Sequence, residues 1–246
     1  MKRVLQYVLT AMLVMGSCFF AQTTEINGDT ISEITYSQTK VKKEKSVSKD
    51  TEVGDIITFG NYEQDGDTSN GKESIEWIVL DKKDDKVLLI SKYGLDAQPY
   101  NELREDVTWE TCTLRKWLNS TFINEAFNKQ EQNVIAAVTV TADKNPYHDT
   151  DPGNDTKDKI FLLSIQEVKK YFSSEEDMHV YATQYAIDNG ALVIHSNGCS
   201  PWLVRSPGKN SKCVPYINYI GSFFYGGDFV DYVDSVVRPA LWLEIK

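Results

Sequence analysis

Apolar positions along this chain fall into short blocks whose period changes from strand-like to helix-like and back. Val53 to Phe59 alternates loosely before Gly60-Asn61, which predicts a strand. Ile75–Leu80 and Lys86–Ser91 are two short apolar runs joined by the polar stretch Asp81–Asp85, the pattern of an antiparallel hairpin. A turn-rich loop, Asp65 to Gly71, separates the first strand from this hairpin. Leu114, Trp117, Leu118 and Phe122 then share one face at helical spacing, with Thr111 or Thr113 placed to cap the helix. A second short helix is predicted over Lys129–Ile135 behind Asn128. A strand follows over Val138–Ala142, and a buried strand over Ile160–Leu163. Ser164 with Glu167 three residues later forms a capping box, opening a helix to Phe172; Ser174 and Asp177 mark one more helical turn. The last fifty residues lose helical period and mix Gly and Pro with aromatic and β-branched residues, so short strands and structured loops are expected there. Strands at both ends with helices between them give an α+β class.

The N-terminus reads differently. Lys2 and Arg3 precede an uncharged apolar run from Val4 to Ala21, the arrangement of a secretory signal peptide. Its processing stays open. Met15-Gly16-Ser17-Cys18 resembles a bacterial lipoprotein signal with Cys18 as the lipidated residue, and an uncleaved membrane anchor is the third reading. Residues 22–51 contain no Trp or Phe and include the run Lys40–Lys45, so they predict a flexible stalk. Residues 52–246 then form a single folded domain, placed outside the cell or on its surface.

Composition narrows the function. A chain 41% hydrophobic and 11% aromatic excludes collagen-like and wholly disordered classes. The net charge of −10 becomes −12 once Lys2 and Arg3 leave with the signal, and such a surface repels phosphate backbones. No nucleic-acid partner is expected, and membrane association only through the N-terminal segment or a lipid on Cys18. Three further cysteines are too few for a disulfide scaffold, although Cys199 and Cys213 are close enough in sequence to pair. Gly-x-Ser-x-Gly, His-Glu-x-x-His and a phosphate-binding glycine loop are all absent from the sequence.

Candidate chemistry lies in three places. The loop from Asn145 to Asp158 concentrates oxygen ligands, and Asp149, Asp151, Asn154, Asp155 and Asp158 could hold calcium; a hydrophilic surface loop is the alternative. Arg205 and Arg238 sit in apolar or proline-flanked sequence and require acceptors, with Asp228, Asp231 and Asp234 nearby in the chain. They either lock the loop half or floor a ligand pocket. The tail is rich in rings, including Trp202, Tyr219 and the run Phe223-Phe224-Tyr225-Gly226-Gly227. Exposed rings stack on sugars or anchor partners, whereas buried ones build the core. Trp202, Arg205, Tyr219, Asp231 and Arg238 are the ligand-binding candidates; no residue is assigned a catalytic role.

Several stretches taken in order carry a family resemblance. They are Val53–Gly60, Ile75–Leu80, Val87–Ser91, Trp109–Asn119, Asp158–Ser164, Trp202–Gly208 and Val237–Trp242. Together they resemble a family of bacterial, often exported, domains of unknown function over about residues 52–246. That family is similar in fold to C-type lectins and to the formylglycine-generating enzymes. The resemblance implies a C-type-lectin-like α+β fold with its terminal strands paired, helices in the middle and an irregular, loop-rich C-terminal half. It implies no activity and no cofactor other than the calcium that C-type lectins can hold. The expected function is therefore an exported, non-catalytic binding module holding a glycan, peptide or surface-protein ligand on its loop-rich half. Two alternatives stand beside it: an enzyme related to the formylglycine-generating group, which works through a reactive cysteine pair near the C-terminus, and a structural module of an envelope assembly.

Overall fold

A computed structural model describes residues 47–245, which lie within one compact unit, Lys45–Lys246. The signal, Cys18 and nearly all of the stalk fall outside the described residues. No helix among the described residues is long and apolar enough to cross a membrane.

The strands are β1 (Ile56–Tyr62), β2 (Glu73–Lys83), β3 (Lys86–Ser91), β4 (Asp96–Ala97), β5 (Val138–Val140), β6 (Thr156–Asp158), β7 (Ile160–Phe161), β8 (Trp202–Leu203), β9 (Cys213–Ile217), β10 (Phe223–Phe229), β11 (Val236–Val237) and β12 (Ala240–Glu244). The α-helices are α1 (Thr113–Trp117), α2 (Ile123–Ala126), α3 (Lys129–Val134), α4 (Ile165–Tyr171) and α5 (Gln184–Asp188). The α+β class holds. One five-stranded sheet runs β1-β2-β3-β12-β7, a second runs β10-β9-β8-β11-β4, and β5 pairs with β6 alone.

The first sheet follows from its sequence. Along β2, Ile75, Trp77 and Val79 are buried on alternate positions, and the Trp77 indole N–H donates to the Phe59 carbonyl at 2.7 Å. The two-residue turn Asp84-Asp85, with Asp84 at φ +54°, joins β2 to β3. Central strand β3 is buried from Val87 to Ser91 because it is covered on both faces. The terminal strands share this sheet without pairing: β1 takes the free edge of β2, and β12 takes that of β3. The β2–β3 hairpin therefore stands between them. This corrects the expected direct pairing, which a long-range register cannot reveal from sequence alone.

The predicted capping box of Ser164 and Glu167 opens α4, and Asn128, the predicted cap of α3, forms a second box with Glu131. The helical face from Leu114 to Phe122 is interrupted. After α1 a π-helical turn over Leu118–Phe122 shifts the phase before α2, while Leu114, Leu118 and Phe122 stay buried. Phe122 meets Phe127 at 6.1 Å and Tyr62 at 5.0 Å, which ties these turns to β1. Cys112, rather than either threonine, takes the N-cap position of α1 and makes no side-chain cap bond. Helix α5 has no strong apolar period; Thr183 caps it through a bond from the Ala186 N–H.

Candidate functional site

The five ligand-binding candidates do not converge. Trp202 is fully buried, donates its indole N–H to the Met178 carbonyl at 2.8 Å, and packs on Phe172 at 6.0 Å. Arg238, equally buried, lies with its guanidinium carbon 5.0 Å from the Trp202 ring centroid and donates Nε–H to the Ser91 carbonyl at 2.9 Å. Burial works against its charge. Of the five, only these two touch, and both belong to the core. Arg205 pairs with Glu167 and with Asp143, and donates to the carbonyls of Leu162 and Thr141. The acid partners foreseen from sequence neighbourhood are therefore replaced by acids from α4 and the strand-following loop. Asp231 pairs instead with Arg104 at 2.9 Å. Tyr219 is partly exposed in the β9–β10 turn, where its carbonyl accepts from Asn197.

The predicted calcium loop is likewise dispersed. The Asp149 carboxylate is fully exposed and faces Lys144 at 3.7 Å. Asp151 accepts from the Gly153 N–H, Asn154 donates to Glu110, and Asp155 accepts from the Ala142 N–H. Asp158 is buried and takes three donors, Arg115 at 2.7 Å, the Trp109 indole at 3.0 Å and Thr156 Oγ at 2.6 Å. Each group serves a different part of the fold, because a long irregular loop must satisfy its own backbone. The five do not form an ion cage.

Another acidic group, not foreseen in the sequence, closes the loop before β2. Glu63, Asp65 and Glu73 bring carboxylate oxygens within 4.8 Å of one another. Glu73 accepts from the N–H groups of Gln64 and Asp65, Asp65 from that of Asp67 and from the Asn70 amide, and Glu63 from that of Gly66. Desolvation raises the pKa of Glu63, and the neighbouring acids add to the rise. Their oxygens are spent on turning the loop. The shallow pocket beside them, lined by Gln64, Tyr93 and Thr183 among others, is wide open to solvent.

Cys112, Cys199 and Cys213 are all free and buried, which corrects the expected Cys199–Cys213 bridge. Trp202 lies opposite Ile217 in the antiparallel β8–β9 pair, so Cys199 and Cys213 flank its two ends. Burial raises the pKa of both thiols and pushes Cys112 up to about 12. Iodoacetamide at neutral pH should therefore leave these three thiols unmodified in the folded protein and label them all after denaturation. Peptide mass mapping checks this; rapid labelling of Cys199 or Cys213 in the native state would contradict it.

The loop-rich half assembles a row of rings at its surface, with Tyr147 exposed and Phe223 and Tyr225 half-buried against the core. Strand β10 is the edge of the second sheet, and Phe223 and Tyr225 lie on the same face of it. Their rings stack at 5.1 Å, only 9° from parallel. Tyr147, 65% exposed, extends the row with its centroid 4.3 Å from that of Tyr225. Lys169, on the solvent side of α4, holds its ammonium 5.0 Å from the Tyr225 centroid and 5.6 Å from those of Phe223 and Tyr147. On the opposite face of β10, Phe224 is 46% exposed and leans on Tyr216 at 5.1 Å.

This shelf is held from beneath. Buried Asn145 donates to the carbonyls of Pro207 and Tyr225 and accepts from the Tyr147 N–H, fastening the 145–147 loop to β10. A bulge between Phe224 and Asp228 re-aims the strand. Gly227 sits there at φ +70°, where a Cβ would lie 2.2 Å from the Val214 carbonyl oxygen, so only glycine fits. The sequence singles out Phe223–Gly227 as a candidate exposed segment, but neither Tyr147 nor Asn145 nor Lys169 carries a signal linking it to that run. They meet only through tertiary pairing.

The molecule is thus an α+β domain with an ordered sheet at one end and a ring-bearing edge strand on its irregular half. It belongs to the family described as Domain of unknown function (DUF6273), whose model matches residues 84–245. The match begins at the β2–β3 turn, so β1 and β2 complete the same sheet from outside it. No curated protein and no solved structure matches the chain.

Proposed function

We propose that this protein is an exported, non-catalytic binding module of C-type-lectin-like fold, and that it seats a glycan on the aromatic shelf of Phe223, Tyr225 and Tyr147. The observation that carries the reading is the shelf itself: three neighbouring rings at an edge strand, beneath an ammonium with no carboxylate partner among the described residues. Rings presented in this way offer apolar faces and edges to the C–H side of a sugar, while the ammonium meets its oxygens. Export is part of this reading, supported by Lys2 and Arg3 ahead of the apolar run Val4–Ala21.

The enzyme alternative needs a reactive cysteine pair, and buried, separated thiols with raised pKa values weigh against it. A module of an envelope assembly would use the same shelf against protein, and the test below separates the two. The full chain is applied to an array of immobilised glycans, in calcium and in chelator. Retention on a subset of glycans, unchanged by chelation, is the expected result, since the predicted calcium ligands point apart. Retention on no glycan, or retention lost on chelation, would contradict the reading.

A further inference from the structure

The charges around the shelf identify the kind of glycan it takes. Within a chain of net charge −10, the shelf carries cations. Lys169 caps the three rings, and neither it nor Lys209 pairs with a carboxylate among the described residues. Lys209 donates its backbone N–H to the Gly226 carbonyl at 2.9 Å, next to Tyr225. Its side-chain Cδ and the His148 Nε2 each lie 3.8 Å from where a Gly226 Cβ would be, beside the strand one residue on from Tyr225. Lys144, one residue before Asn145, is exposed and only loosely matched by Asp149 at 3.7 Å, with both groups in water. Of the nearby acids, Glu175 accepts from Ser222 Oγ, and Asp228 lies near Tyr216 and, together with Lys209, near Cys213.

On an acidic protein, the ammonium groups of Lys169 and Lys209, with no carboxylate partner among the described residues, cast a field that reaches about one Debye length, roughly 8–10 Å, into solvent. Rings alone would suit any sugar. Rings rimmed by free lysines suit a sugar whose apolar face stacks while its carboxylates meet the ammonium groups. We infer that the shelf binds an acidic polysaccharide, a polymer of carboxylated sugars, with Lys169 and Lys209 as the anion-reading residues. This deepens the proposed glycan-binding function and rests on it.

The test uses the full chain with an oligogalacturonate and with the same oligomer methyl-esterified, which keeps the sugar faces and removes the charge. The acidic form should bind at least about tenfold more tightly than the ester, an advantage that added salt erodes. The double variant Lys169→Gln/Lys209→Gln, changed at two exposed positions, should bring the acidic form down to the affinity of the ester while leaving the thermal midpoint unchanged. Equal binding of both oligomers, lost in Tyr225→Ala, would overturn the anion-reading inference and leave the shelf in place. An acidic preference that survives the double variant would overturn the assignment of the lysines. Binding of neither oligomer would overturn the inference, and the array would then decide whether the shelf reading falls with it.

Discussion

Trp202→Ala should cost about 5 kcal/mol, enough to leave a marginally stable domain partly unfolded at room temperature. Three losses combine. Removing a fully buried indole opens a cavity at the centre of the second sheet, which alone accounts for about 3–5 kcal/mol. The Met178 carbonyl loses its donor. The third loss concerns Arg238, whose guanidinium faces Trp202 at 5.0 Å and Phe172 at 5.4 Å, with no carboxylate against it among the described residues. Taking away one ring leaves a buried cation with less to offset its desolvation. Trp202→Phe keeps most of the packing and loses the indole donor, so it should recover more than half of the loss. Denaturant unfolding of both variants reads this out. A wild-type midpoint for Trp202→Ala would show that the indole is not the centre of this core.

Arg205→Ala should destabilise the fold by about 3 kcal/mol, lowering the thermal midpoint by about 10 °C. The side chain is 2% exposed and joins three pieces of chain: Glu167 in α4, Asp143 after β5, and the carbonyls of Leu162 and Thr141. Ser164 links the same group, donating its hydroxyl to Asp143 and its backbone N–H to Glu167. The cost sits at the low end for a broken buried pair, because both carboxylates keep some contact with water. Arg205→Lys keeps the charge without the planar fork and should lie between the two. Thermal unfolding of the three proteins checks the order. If Arg205→Ala and wild type unfold together, the ion-pair group contributes little and the loop half is held by packing alone.

These two residues also show what sequence can and cannot convey. Local chemistry was legible: two short apolar runs about a polar turn gave the β2–β3 hairpin, and Ser164 with Glu167 gave the start of α4. The requirement that Arg205 and Arg238 find acceptors follows from the cost of burying a charge. Their partners were not legible, since pairing depends on which strands meet. Arg205 reaches back past the nearby Asp228 to Asp143, and Arg238 settles on two rings and a carbonyl. The acidic loop misleads for a related reason. Closely spaced Asp and Asn side chains suit a cation, but they suit equally the unpaired N–H groups of a loop without regular structure. Here the second demand takes them. The shelf was half legible, through the run Phe223–Gly227; Tyr147 and Lys169 join it from loops and helices whose placement no local pattern encodes.

The central claim is that ligand is held at Tyr225 and its neighbours, and not at the sequence-predicted positions Tyr219 and Asp231. Its most direct test measures affinity for one array-selected glycan in four full-length proteins: wild type, Tyr225→Ala, Tyr219→Ala and Asp231→Ala. Loss of a central ring should weaken binding at least about thirtyfold, equivalent to about 2 kcal/mol, with Tyr219→Ala and Asp231→Ala within about threefold of wild type. Unchanged affinity in Tyr225→Ala, or a larger loss in either of the other two, would contradict the account.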